Sequence, residues 1–123
     1  MDKSQALQEF WSGFKLPAYA TGTVPDSATL PYITYDVSTD SFDYVINLNA
    51  SLWYRSMSWE EISKKAEEIA EYISTMQPPT LEIDDGRLYI SKASPFAQRM
   101  SDESGADIRR IVLSVNVEFL TKY

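Results

Sequence analysis

The stretch NLNASLWYRSMSWEEISKKAEEIAEYI, residues 47–73, carries the strongest structural signal in the chain. Its first part alternates apolar and polar side chains, as in a strand with one buried face, and its second part places apolar side chains at helical spacing. The strand's apolar positions are Tyr44, Ile46, Leu48, Ala50, Leu52 and Tyr54, and the helix's are Trp59, Ile62, Ala66, Ile69, Ala70 and Ile73. We therefore expect this helix to pack on this sheet and form the core.

The opposite face of this strand carries Asn47, Asn49, Ser51 and Arg55, and Trp53 places a large ring among them. At the start of the helix, the sequence predicts a capping box and a hydrophobic staple. The capping box would join Ser58 to Glu61, and the staple would join Met57 to Ile62. Favourable ion pairs one turn apart are predicted for Glu60–Lys64 and Glu61–Lys65.

A shorter helix is predicted over residues 2–14, where Asp2 and Gln5 form a second capping box and Gly13 provides a left-handed end. Its apolar stripe consists of Leu7, Phe10, Trp11 and Phe14. Residues 15–31 contain three prolines and read as a long loop. Loops of such length in a compact domain are usually functional or mobile.

A further strand is predicted at residues 32–37. It should form an antiparallel hairpin with the strand that leads into the main helix, through a polar turn at 38–43. Residues 81–84 and 87–90 flank Asp85-Gly86, a strong hairpin signal. Residues 91–107 are the least regular segment, and only their first half is a possible strand. The last strand, residues 108–119, should lie in the middle of the sheet. The pattern predicts a single α+β domain over residues 1–123, with a mainly antiparallel sheet and two helices packed on one face.

Composition excludes several classes of site. The 123 residues include no cysteine and no histidine, which removes disulfides, thiolate sites and the commonest general base and metal ligand. The formal net charge of −7 disfavours tight binding to nucleic acid or to an anionic membrane. With no signal peptide and no apolar run near the roughly 20 residues that span a bilayer, we expect a cytoplasmic protein.

Catalytic and metal-binding patterns are weak. The glycines are scattered, and no serine has a plausible base, so an enzyme is disfavoured. A weak divalent-cation site at Asp102, Glu103 and Asp107 competes with the simpler interpretation of a solvated acidic loop. Aromatic, methionine and arginine side chains at positions expected to be exposed are instead typical of protein interfaces. The candidate interface residues are Trp53, Arg55, Phe96, Arg99, Met100 and Val112.

Three segments of the sequence resemble one family. VPDSATLPYITYDV (24–37), ASLWYRSMSWEEISKKAEEIAEYI (50–73) and SPFAQRMSDESGADIRRIVLSVNVEFL (94–120) are similar to the small tail terminator, or tail completion, proteins of tailed bacteriophages and prophages, especially of Gram-positive hosts. The carrying features are the LPYITY strand after a proline-rich loop, the SLWYRS strand leading into the SWEEI helix, and PFAQRM followed by IRRI. None of them is a catalytic signature.

The resemblance implies a small α/β subunit of a homohexameric ring on the head-proximal end of the tail tube. Such a ring stops tube elongation and forms the joining surface for the head, so its partners are the tail tube protein and the head–tail connector or neck protein. Genome DNA passes through without specific binding, which an acidic lining favours. No activity, cofactor or membrane is implied, and the location is the virion, after assembly in the host cytoplasm. Candidate lumen or docking loops are residues 38–43 and 101–107, the latter with Asp102, Glu103 and Asp107.

Alternatives stay open at this point. The chain is also compatible with a head-side neck protein. The sequence is equally compatible with a contractile, a flexible or a headless tail. A protein-binding module acting as a monomer or twofold dimer is a second class, and a small enzyme using carboxylates or tyrosine is a third. Symmetry separates the first two classes, because a ring needs two complementary patches whereas a dimer needs one self-complementary patch.

Overall fold

The computed structural model describes residues 2–37, 45–76, 80–84, 86–100 and 106–121. Its helices and strands, in chain order, are α1 (Lys3–Ser12), β1 (Ala18–Ala20), β2 (Tyr32–Tyr35), β3 (Val45–Arg55), α2 (Glu60–Met76), β4 (Thr80–Ile83), β5 (Gly86–Met100) and β6 (Ile108–Thr121). They form one six-stranded sheet in the order β1-β2-β3-β6-β5-β4. Neighbouring strands are antiparallel except β1 and β2, which confirms the predicted α+β class.

The core lies on one face of this sheet, which we call the inner face. Strand pairing aligns Leu52 with Ile111 and Ala50 with Leu113, so the apolar positions of β3 and β6 form continuous rows. Apart from the half-buried Ala70, the apolar stripes of α1 and α2 belong to or pack against the same buried cluster, as predicted. The fully buried members include Leu7, Trp11, Ile33, Leu52, Ile62, Ile69, Leu88, Ile90, Leu113, Val115, Val117 and Phe119.

Helix α1 begins as predicted and ends differently. The Asp2 side chain accepts from the Gln5 amide at 2.8 Å, and the Gln5 side chain accepts from the Asp2 amide at 2.9 Å. Gly13, however, keeps a right-handed conformation, with φ of −74°. The left-handed residue is Lys15, with φ of 65°. The prediction of a left-handed Gly13 is therefore wrong, and the left-handed conformation occurs two residues later.

The start of α2 also departs from prediction. The Ser58 hydroxyl accepts from the Glu60 amide at 3.1 Å, while the Ser58 amide donates to the Ser56 hydroxyl instead of to Glu61. Met57 is 71% exposed, so it makes no staple with the helix. Ser56 and Ser58 thus cap this end of α2. The predicted capping box and hydrophobic staple are wrong.

Of the two ion pairs predicted on α2, one forms. Lys64 lies 3.3 Å from Glu60, as expected. Lys65 instead contacts Glu68 at 3.1 Å and donates to the Phe14 carbonyl at 3.0 Å. The contact with that carbonyl ties α2 to the segment that follows α1, which explains why Lys65 turns away from Glu61.

Two strand segments exceed the prediction. Within the predicted loop 15–31, β1 pairs in parallel with β2, and the Ile33 amide donates to the Pro17 carbonyl. Strand β5 continues to Met100 through an irregularity between Lys92 and Ala97 that contains the cis peptide Ser94–Pro95. The β4–β5 hairpin and the central position of β6 are confirmed. The predicted turn 38–43 and Asp85 lie outside the described residues.

Candidate functional site

The second face of the sheet, which we call the outer face, is covered by neither helix in the described part of the chain, since both pack on the inner face. Its central rows are polar and uncharged. Strand pairing sets Asn47 opposite Asn116 and Asn49 opposite Ser114, whose hydroxyl donates to the Asn49 side-chain oxygen at 2.8 Å. The side-chain amide of Asn47 donates to the Val115 carbonyl at 3.2 Å. Such a face suits contact with another protein as well as with water.

A fixed cluster of aromatic and cationic groups interrupts this face. It consists of Thr34, Ser51, Trp53 and Arg110, and we call it the Trp53 cluster. The indole N–H of Trp53 donates to the Thr34 hydroxyl at 2.9 Å, and the Arg110 guanidinium lies 4.7 Å from the ring centroid. Arg110 Nε donates to the Ser51 hydroxyl at 3.1 Å. Both large side chains are thus held in place before any partner binds.

The register of β3 and β6 creates this cluster, because it pairs Trp53 with Arg110 directly. On the two flanking strands, Tyr32 pairs with Trp53 and Met100 pairs with Arg110. One cross-strand row therefore contains two aromatic rings, an arginine and an exposed methionine. Side chains of these types are enriched at the centres of protein interfaces.

Beside the Trp53 cluster lies a depression of about 390 Å³. The Asp36 carboxylate and the Arg110 guanidinium both line it, so it offers one acceptor and one cationic donor. The Thr21 hydroxyl lies 3.0 Å from the Asp36 carboxylate and holds it in place. The lining residues are Thr21, Thr34, Asp36, Asn49, Ala50, Ser51, Trp53, Arg110 and Val112. The depression can receive a polar side chain that carries an aromatic or aliphatic stem.

A second group of cations surrounds Trp59 at the start of α2. The guanidinium groups of Arg99 and Arg109 lie 5.0 Å and 5.4 Å from its ring centroid. Arg109 donates to the carbonyls of Met57 at 2.8 Å and Ala106 at 2.9 Å, whereas its Nε is buried without a partner in the described structure. Besides this ring contact, Arg99 makes a long hydrogen bond, 3.5 Å, to the Ser63 hydroxyl.

Four of the chain's five arginines lie at this end of the sheet. We call this region the arginine end; its members are Arg55, Arg99, Arg109 and Arg110. Strand pairing brings them together, since Arg55, Tyr54 and Trp53 face residues 108–110 of β6, and Arg99 faces Ile111. A local concentration of positive charge therefore stands out on a chain whose formal net charge is −7.

Asp107 partly neutralises the arginine end. Its carboxylate lies 2.6 Å from Arg55 Nη1, and the hydrogen bond from Arg55 holds the pKa of the Asp107 carboxyl below its usual value. The other two acidic residues of the suggested cation site, Asp102 and Glu103, lie outside the described residues. Over the ranges that the structure describes, no three acidic side chains converge on a possible metal position.

The structure separates the predicted interface residues into two groups. Strand pairing places Trp53, Arg55, Met100 and Val112 on the outer face, where the sequence predicted an interface. Phe96 is half-buried and packs against the hydrophobic core, and its place in an interface stays a prediction. Arg99 lies on the helix side, over Trp59.

Three further residues were not among the predicted interface residues: Arg110, Arg109 and Trp59, whose ring contacts two guanidinium groups. The alternation of β6 carried a signal for the first, because Arg110 precedes the buried Ile111 and so belongs on the outer face. Pairing Arg110 with Trp53 required the strand register, which neither strand pattern contains by itself.

A pocket of about 290 Å³ lies on the other side of the molecule, between α1, α2 and β4. We call it the acidic pocket. The Phe14 ring stands edge-on to Tyr72 and to Phe10, with centroids 5.4 Å apart in both pairs. Its lining residues are Glu9, Phe10, Gly13, Phe14, Glu68, Tyr72 and Leu81. Two carboxylates and several aromatic rings suit it to a cationic side chain.

Comparisons of the chain with protein-family models, with curated proteins and with solved structures gave no match. Among the residues that the structure describes, no helix has the length and apolarity needed to cross a bilayer.

Proposed function

We propose that this chain is a structural subunit of a phage tail: a terminator protein that forms a ring on the head-proximal end of the tail tube. In this role it stops tube elongation and provides the surface to which the head is joined. The proposal begins with the sequence resemblance over residues 24–120. The structural observation that supports it most is the outer face, an open sheet surface that carries the Trp53 cluster.

The Trp53 cluster has the properties of an interface centre. Its arginine and tryptophan are fixed by hydrogen bonds to Ser51 and Thr34, so little side-chain freedom remains to be lost on binding. Met100, exposed at 39%, and the half-buried Val112 extend the apolar area beside it. Truncation of such central aromatic and arginine residues commonly weakens binding by about 2 kcal/mol or more.

The charge of the chain supports the same function. A ring around a DNA channel works best when its subunits repel phosphate, and the chain has 18 acidic and 11 basic side chains. The arginines are concentrated at one end of the sheet, where a protein contact would cover them. In this arrangement the remaining acidic surface is available to face the genome.

The test is a tube-capping assay. Tail tube protein from the same genome is polymerised with and without this chain, and tube lengths and ends are measured by electron microscopy. We expect a ring at one tube end and a shortened length distribution. Tubes that grow to the same length and show no added density would overturn the proposal.

Variants connect the assay to the outer face. Trp53→Ala should abolish capping without unfolding the chain, as monitored by circular dichroism. Val45→Ala is the control, since Val45 is an exposed apolar residue at the other end of the same strand and face. Binding to the portal-side connector but not to the tube would indicate the neck-protein alternative. A closed twofold dimer that does not bind tail tubes would indicate a binding module.

A further inference from the structure

The arginine end and the acidic pocket lie at opposite ends of the long β5–β6 ribbon. Arg99 pairs with Ile111, whereas Leu81, in the pocket wall, pairs with Leu88, which in turn pairs with Phe119. From position 111 to position 119 of β6, the distance is roughly 26 Å at about 3.3 Å per residue. The Leu81 wall of the pocket is therefore remote from the arginine end, and the charges of the two patches are opposite.

At the arginine end, the guanidinium groups of Arg99, Arg109 and Arg110 lack a carboxylate partner among the described residues, and Arg109 is occupied by the carbonyls of Met57 and Ala106. Arg110 is held over Trp53 and hydrogen-bonded to a serine hydroxyl, and Arg99 is held over Trp59. Arg55 differs from them because Asp107 already pairs with it. Stacking on the two indoles fixes Arg99 and Arg110 while leaving N–H groups available for an anionic partner.

The acidic pocket has the complementary chemistry. Within the described structure the Glu9 carboxylate has no cation at salt-bridge distance, and Glu68 pairs only with Lys65 on its own helix. Tyr72, 42% exposed, offers its ring at the mouth, next to Phe14. A guanidinium entering the pocket would meet carboxylates and aromatic faces together, which is a favourable environment for arginine.

We propose that the arginine end of one copy of this chain docks on the acidic pocket of the next copy. The contact deepens the terminator function and rests on it, since it names the surfaces through which subunits of a ring would meet. The patches differ, so the contact is head-to-tail and can continue from copy to copy until a ring closes. Each patch also presents an exposed apolar side chain, Met100 on one and Tyr72 on the other, which would be covered.

Charge reversal at each patch tests the contact. Arg99→Glu/Arg110→Glu and, separately, Glu9→Lys/Glu68→Lys should each raise the concentration needed for self-association about tenfold or more. Lys92→Glu is the control for the first variant, because Lys92 is an exposed cation of β5 that belongs to neither patch. Association is measured by native mass and sedimentation over a concentration series at low salt. Association equal to wild type in both variants would overturn the proposal.

Mixing the two charge-reversed variants is the decisive arm. Each alone sets like charges against each other, whereas the mixture pairs reversed arginine ends with reversed pockets and native ends with native pockets. We therefore expect the mixture to regain the association of the wild type. Self-association that is lost in both variants and not regained on mixing would contradict direct docking of one patch on the other.

A cysteine reporter detects even weak association, because the chain contains no cysteine. Met100→Cys/Tyr72→Cys should give a ladder of disulfide-linked oligomers under mild oxidation, whereas Met100→Cys alone should give no species beyond a dimer. Val45→Cys/Tyr72→Cys is the matched control and should give no such ladder. The absence of a ladder at the highest soluble concentration, free and on tail tubes, would overturn the proposal.

The outcomes separate this contact from the proposed function. A restored mixture and a disulfide ladder without tube capping would retain the contact and reject the terminator function. Tube capping by the wild type, together with charge-reversed variants that self-associate as the wild type does, would retain the terminator function and reject the contact.

Discussion

The two faces of the sheet share the same strands and the same alternating pattern, yet only one of them is covered by the described helices. On the inner face, rows such as Leu52–Ile111 and Ala50–Leu113 are buried under two helices. On the outer face, the corresponding rows are Trp53–Arg110 and Ser51–Val112, held by hydrogen bonds and ring–cation contact. The comparison teaches that a single residue step along each strand separates the helix-covered core from the uncovered face.

The largest expected effect comes from deleting side-chain volume on either side of one strand. Leu113→Ala, on the inner face, should lower the free energy of unfolding by about 2–5 kcal/mol because it leaves a cavity. Val112→Ala, on the outer face, should lower it by about 1 kcal/mol or less, because Val112 is only half-buried. Chemical denaturation measures both. Equal losses would show that the outer face is as tightly packed as the inner one.

A smaller effect is expected from the ring–cation contact of the outer face. A double-mutant cycle with Trp53→Ala and Arg110→Ala should give a coupling free energy of about 0.5–1 kcal/mol. The reason is that the guanidinium lies 4.7 Å from the ring centroid at a partly exposed position. Denaturation of the two single variants and the double variant measures the coupling. Strict additivity would mean that the two side chains are merely neighbours.

Tyrosines on the inner face should make the free energy of unfolding fall at alkaline pH. Burial raises the pKa of Tyr54, and the charges of Glu61 and Glu68 raise it further; burial also raises the pKa of Tyr35. Their contribution to stability is complete below the usual value of 10.0 and is lost as pH rises through the higher folded-state pKa.

Tyr54→Phe should therefore flatten the fall of the unfolding free energy with pH above 10.0. Thermal melts over a pH series measure this slope. A variant that loses stability at high pH as steeply as the wild type would show that Tyr54 is not one of the groups responsible.

The smallest effect is the change in the free energy of unfolding at acid pH that the arginine end causes. Arg55 lowers the pKa of Asp107 below its usual 3.8, so this pair contributes stability above pH 3.8 and loses it as pH falls through the folded-state pKa. Asp107→Asn should remove this acid slope, and Arg55→Gln should remove only part of it, because a backbone hydrogen bond and the charge of Arg109 also lower the pKa of Asp107. The change should be slight, since both side chains are about half exposed or more. An acid slope that Arg55→Gln leaves unchanged would show that Arg55 does not lower the pKa of Asp107.

Much of this architecture was predictable because period-two and helical patterns record which side chains are buried. The inner rows of β3 and β6 and the stripes of both helices followed from those patterns alone. Trp53 and Val112 were recognised because each breaks the polar side of its strand. Identifying Arg110 as the partner of Trp53 additionally required the register between β3 and β6.

What escaped prediction depends on contacts remote in sequence or on residues that weaken a local signal. Strand β1 has only three residues, and a hydrogen bond from Ile33 to Pro17 fixes its position. Pro95 weakened the sequence signal for the continuation of β5, because a proline inside an apolar run argues against a strand. At the start of α2, Ser56 competes with Glu61 for the Ser58 amide, and both choices fit the sequence.

The central position of β6 has a consequence for synthesis. Translation produces β1 to β5 first, and until residues 108–121 emerge from the ribosome β3 and β5 have no strand between them. The nascent chain then carries two incomplete sheets with apolar surface and open edges, a form that aggregates readily and that chaperones recognise. Pairing of Ser51 with Val112 joins residues far apart in sequence, and such contacts form slowly. Emergence of β6 is therefore the event that commits each new molecule to its fold.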